Sequence, residues 1–64
     1  MTLKLERVKR NLTQKQLQDL SGISMVTIRK IEKGEVEKVT LSTYKKLAKA
    51  LDISVEELIK EEEV

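Results

Sequence analysis

The apolar positions of this chain recur every three or four residues, with no sustained alternation of period two. They fall at Leu5, Val8 and Leu12, at Leu17 and Leu20, and at Ile28 and Ile31. Further on come Leu41, Tyr44, Leu47, Ala48 and Leu51, then Val55, Leu58 and Ile59. That spacing lays one apolar face on a helix, and no segment alternates as a half-buried strand would. Polar residues mark where each helix starts. Leu12-Thr13-x-x-Gln16-Leu17 sets a hydroxyl at the cap, Gln at the third helical position and apolar residues on either side, a capping box joined to a hydrophobic staple. Ile53-Ser54-x-x-Glu57-Leu58 repeats the device in full. Ile23-Ser24-x-x-Thr27-Ile28 and Val39-Thr40-x-x-Thr43-Tyr44 repeat the cap and staple without the Glu or Gln, and Thr2, followed by Glu6, is a weaker fifth. Asn11, Gly22 and Gly34 tolerate the left-handed geometry that ends a helix. The pattern predicts helices at about 3–10, 14–21, 25–33, 41–51 and 55–61. Five short helices around one core make an all-α fold.

Sixty-four residues allow one small domain, without internal repeat or linker. With no Cys and no His, neither a disulfide nor a Cys/His zinc site can help to hold it. Cysteine usage is compatible with a reducing cytoplasm. No apolar run is long enough to cross a bilayer and no signal-peptide core follows Met1-Thr2, so the expectation is a soluble intracellular protein. The net charge of +2 conceals an asymmetry. Residues 1–50 hold 12 Lys and Arg against 5 acids, a balance of +7, whereas residues 51–64 hold Lys60 against 6 acids, a balance of −5. A basic body of this kind suits a polyanionic partner, and an ordinary solvated surface is the alternative.

The ordered series "LTQKQLQDLSGISMVTIRKIEKG", followed by "LSTYKKLAKALDISVEEL", resembles the helix-turn-helix domains of phage repressors, Cro proteins and related bacterial regulators. The match runs from residue 3 to 59. It implies a compact five-helix lambda-repressor-like bundle over residues 1–61, with the helix-turn-helix at helices 2 and 3 and an acidic tail at 62–64. It also implies that helix 3 enters the major groove of double-stranded DNA, and that a homodimer reads two half-sites of a palindromic operator one helical turn, about 34 Å, apart. No cofactor is implied.

Helix geometry agrees with that placement. At about 100° per residue, Ser24, Ile28, Ile31 and Glu32 share one face of helix 3 and Val26, Arg29, Lys30 and Lys33 the other, with Met25 and Thr27 flanking the exposed face. Candidate base contacts are therefore Met25, Val26, Thr27, Arg29 and Lys30. Lys30 can donate to guanine O6 and N7; Arg29 can do the same or bind phosphate; Met25 and Val26 offer only apolar contact, most naturally to thymine methyl groups. Core filler is the other reading of Met25. Candidate phosphate contacts are Arg7, Thr13, Gln14, Lys15, Lys33 and Lys38, with Gln14 at a helix N-terminus whose amides favour an anion. The resemblance further implies an internal ion pair between Arg7 and Glu32, and a dimer interface built from Val39, Val55, Leu58 and Ile59.

Two departures stand out. Gln18 occupies a position where the family most often has Ala, at the close crossing of helices 2 and 3; it must bend outward or loosen the crossing. The segment "EVEKVT", with Glu35 and Glu37 and only Lys38 as a base, lowers the expected affinity for phosphates. With no His, Cys, Gly-rich phosphate loop or paired carboxylates in a pocket, an enzyme is not expected. The leading expectation is a DNA-binding repressor. The alternatives are an antitoxin-like module or another protein-interaction domain on the same fold, with a toxin or anti-repressor as partner.

Overall fold

A computed structural model of the chain describes residues 1–60. Over these residues it contains five helices: α1 (Leu3–Lys9), α2 (Gln14–Ser21), α3 (Met25–Glu32), α4 (Leu41–Leu51) and α5 (Val55–Ile59). The expected extension of the last helix to residue 61 and the acidic tail at 62–64 lie outside the described residues. α2 packs against both α3 and α4, α4 against α5, and α1 against α3 and α5.

The caps explain the starts. Thr13, Ser24, Thr40 and Ser54 are all extended and accept through their hydroxyls from the backbone N–H of the third helical residue. Only Thr13 completes the reciprocal box, Gln16 Oε1 taking the Thr13 N–H at 2.8 Å while Thr13 Oγ1 takes the Gln16 N–H at 3.0 Å. Ser54 has the forward half alone, so the full box expected there is corrected to a simple cap. The four residues that precede the caps, Leu12, Ile23, Val39 and Ile53, are all partly buried against the core, as staples require.

Thr2 behaves differently from a cap. Its side chain makes no bond to α1. The Thr2 N–H donates to the Leu58 carbonyl at 3.0 Å, and its hydroxyl reaches the Glu57 and Leu58 carbonyls at 2.9 and 3.2 Å. Those carbonyls end a five-residue helix and have no partner within it. The start of α1 thus closes the end of α5.

The helix ends follow backbone permissiveness. Asn11, Gly22 and Gly34 take positive φ, at 56°, 75° and 88°. Asp52, unmarked in the pattern, does the same at 56° and caps α4; its short polar side chain makes the left-handed turn tolerable.

The core consists of Leu3, Leu17, Ile28, Ile31, Leu47, Ala48, Leu51 and Leu58. Five positions expected inside are instead exposed: Leu5, Val8, Leu20, Leu41 and Ile59. Leu3, absent from the expected list, is 1 % exposed. The Thr2 clasp rotates α1 so that Leu3, Glu6 and Arg7 face inward and Leu5 and Val8 outward. Leu20 lies at the rim of the α2–α4 contact beside Lys46, Lys49 and Ala50, while Leu41 and Ile59 are terminal residues of their helices.

Candidate nucleic-acid interface

α3 is anchored on its inner side by Ile28 and Ile31, both essentially inaccessible, with Glu32 at its last turn. That register leaves Val26, Arg29, Lys30 and Lys33 exposed on the opposite side, Val26 at 59 %. Met25 and Thr27 are half-buried at the N-terminal end. The Thr27 hydroxyl accepts from Ser24 Oγ at 3.2 Å, so it is held at the cap. A convex helix face offering an apolar residue and three cations has the shape and charge for a groove lined by phosphates.

The other expected residues divide between this face and the interior. Arg7 and Glu32 come together: Nε donates to Oε2 at 2.7 Å and Nη2 to Oε1 at 3.2 Å, with the side chains only 12 % and 6 % exposed. Arg7 Nη1 also donates to the Leu12 carbonyl at 2.7 Å. These bonds use three of the five guanidinium N–H groups, and the second N–H of Nη1 and of Nη2 remains for an anion such as the phosphate expected of Arg7. Gln14 is likewise engaged, Nε2 donating to Glu32 Oε1 at 3.0 Å and Oε1 accepting from Arg29 Nε at 3.1 Å. What Gln14 can still direct at an anion is its backbone N–H, in the first turn of α2, and the second N–H of its carboxamide.

Lys15 is exposed and reaches Asp19 at 3.0 Å, a surface pair that water largely screens. Lys33 and Lys38 are exposed. Lys38 shares a shallow concavity with Lys30, Glu35 and Glu37, so two carboxylates sit beside two of the exposed cations.

Gln18 corrects the expectation made for it. It neither bends outward nor leaves the crossing loose: its Oε1 accepts the Met25 N–H at 2.9 Å, at the first residue of α3. The signal lay in its spacing, four residues after Gln14 on the same face of α2.

Of the four expected dimer residues, Leu58 is 0 % exposed in the single chain and has no surface to offer a second copy. Val39 and Val55 are half-buried against the core, and Ile59 is exposed beside a shallow depression lined by Met1, Gly34, Val36 and Tyr44.

Two capped helices hinged at a left-handed glycine, the second with a buried inner face and a basic outer one, define a helix-turn-helix domain. The chain belongs to the Helix-turn-helix family of Cro/C1-like type, whose family model matches residues 3–58. No curated protein and no solved structure matches the chain. Membership carries the coarse function of a DNA-binding regulator of transcription, in a family that is typically not enzymatic. Among the described residues, no helix is long and apolar enough to cross a membrane.

Proposed function

We propose that this chain is a sequence-specific repressor that binds a palindromic operator in double-stranded DNA as a homodimer, in the cytoplasm, with α3 in the major groove. The observation that carries this reading is the outer face of α3, where Val26, Arg29, Lys30 and Lys33 are exposed directly behind a fully buried Ile28 and Ile31. In this reading Lys30 donates to a guanine and Val26, with Met25, meets thymine methyl groups; Thr27 and Arg29 complete the base-facing set. The free N–H groups of Arg7, the Thr13 hydroxyl, the Gln14 backbone and carboxamide N–H, Lys15, Lys33 and Lys38 hold phosphates on either side and set the register. Val39, Val55 and Ile59 form the contact between the two copies.

Glu35 and Glu37 beside Lys30 favour a second reading, in which a protein partner such as a toxin or anti-repressor uses the same fold and DNA affinity is weak. Selection of bound duplexes from a random pool, with binding then followed across salt, separates the two. A palindromic consensus, bound with an affinity that falls steeply with salt, supports the repressor. No enrichment at low salt rejects it.

A further inference from the structure

α2 presents two glutamines to α3, and both carboxamides are used there. Gln18 Oε1 accepts the Met25 N–H at 2.9 Å, and Gln14 Oε1 accepts from Arg29 Nε at 3.1 Å. Gln14 and Gln18 are four residues apart on α2; Met25 and Arg29 are four apart on α3. Each helix therefore contributes two positions from one face, and the bonds form a polar seam one turn long across the crossing. Chemistry fixes the orientation of each amide. Gln14 must turn its oxygen to a guanidinium and its NH₂ to the Glu32 carboxylate, 3.0 Å away, while Gln18 must turn its oxygen to a backbone donor. Glu32 is in turn held by Arg7, so the seam is tied to α1.

We infer that Gln14 and Gln18 are positioning residues that determine sequence specificity through α3 without touching a base. The inference rests on the DNA-reading function proposed above. Ordering a glutamine side chain costs rotamer entropy comparable with the net worth of one hydrogen bond, so the seam adds little stability. What it supplies is direction. The Gln18 bond fixes where α3 begins against α2, and hence the depth and tilt of Met25 and Val26. The Gln14 bond occupies Arg29 Nε, which leaves the two terminal nitrogens as an end-on fork for a planar two-acceptor target such as a guanine edge. A long polar residue at this crossing thus aligns the reading helix instead of loosening it.

The test uses Gln18→Met, which keeps length but removes the acceptor, and Gln18→Glu, which restores an acceptor. Two readouts apply to the full chain: hydrogen exchange of the Met25 amide without DNA, and the ratio of affinities for the selected duplex and a random duplex at one salt concentration. In the wild type the Met25 amide should be protected. Gln18→Met should expose it and lower the ratio about tenfold, the size of one weakened base contact, with random-duplex affinity unchanged. Gln18→Glu should recover both. A Met25 amide that exchanges in the wild type like an unbonded one overturns the seam, and an unaltered ratio in a folded Gln18→Met chain overturns its part in specificity. If Gln18→Met does not fold, Gln14→Leu opens the seam at its other end, with exchange at Arg29 Nε and the same affinity ratio as readouts. A wild-type chain with no sequence preference overturns the DNA reading instead, and hydrogen exchange still decides the seam.

Discussion

Replacing Glu32 by Ala removes both oxygens that organise the α1–α3 contact. Arg7 loses its bonds from Nε and Nη2, at 2.7 and 3.2 Å, and Gln14 loses the acceptor of its Nε2. The guanidinium, on a side chain only 12 % exposed in the native structure, then keeps the Leu12 carbonyl as its one partner. Stranding one member of a buried pair costs ~3–5 kcal/mol, and the retained carbonyl and residual access to water place this case near ~3 kcal/mol. A domain of this length has a total stability on the order of 3–10 kcal/mol, so the loss is a third of it or more. At roughly 4–8 °C per kcal/mol for so small a domain, the melting temperature should fall by about 12–24 °C. Thermal and urea unfolding followed by far-ultraviolet circular dichroism measure this directly. The double variant Arg7→Met, Glu32→Leu removes both charges and should recover most of the loss, because the penalty comes from the unpaired ion rather than from the missing attraction. A Glu32→Ala chain within ~0.5 kcal/mol of wild type would refute the reasoning, since a change of that size is what an ordinary surface position gives. A double variant as unstable as the single one would refute it equally.

Gln16→Ala removes the return half of the capping box at Thr13 and should cost ~0.5–1 kcal/mol, while Thr13→Ala, which removes the forward half alone, should cost ~1 kcal/mol, as should Thr40→Ala; an unaltered urea midpoint in Gln16→Ala would show that the return bond contributes nothing. Tyr44, the only tyrosine, has its phenol pushed above the ordinary value by burial, so the folded state holds that proton more tightly than the unfolded chain. Its contribution to stability is complete below the ordinary phenol pKa and is lost as pH rises through the raised one; phenolate absorbance should appear at higher pH in the folded chain than in urea, and Tyr44→Phe should flatten the alkaline loss of stability. The Glu6 carboxyl, held below its ordinary value chiefly by the hydrogen bond from Arg10, has the opposite sign: its contribution is present above the ordinary carboxylate pKa and is lost as pH falls through the lowered one, so Glu6→Gln should shift the acid limb of the stability curve. Lys30→Ala should lower affinity by ~1–3 kcal/mol and relax preference at one base pair, and an equal loss on every duplex would reassign Lys30 to phosphate.

What could be read from the sequence was whatever a single helical turn decides. Thr13, Ser24, Thr40 and Ser54 mark their helices because the hydroxyl and the amide it satisfies are three residues apart. Once Ser24 fixes the start of α3, the outward placement of Val26, Arg29, Lys30 and Lys33 follows from the helical repeat. The inner face of α1 did not follow, because a seven-residue helix with apolar residues at Leu3, Leu5 and Val8 can bury more than one face. A contact from Thr2 to α5 selects among them, and no local pattern encodes a contact between elements so far apart in sequence. Leu20, Leu41 and Ile59 continue the apolar spacing past the point where a neighbouring helix is there to cover them. Gln18 was hidden for another reason: a pattern of apolar and small residues at a helix crossing has no place for a carboxamide that crosses to the next helix and caps it.

The clasp between Thr2 and the last turn of α5 gives the described body the topology of a ring. Its first and last elements meet through hydrogen bonds between residues 55 and 56 apart in sequence, so the polypeptide enters and leaves at one spot. A short linker could join the described ends and a new opening be cut at the exposed Glu37–Lys38 step, between the core-packed Val36 and Val39, as circular permutation requires. The same geometry makes the domain a cassette: spliced into a surface loop of another protein, it would need almost no separation between its two points of attachment, and α3 would remain turned outward to its target.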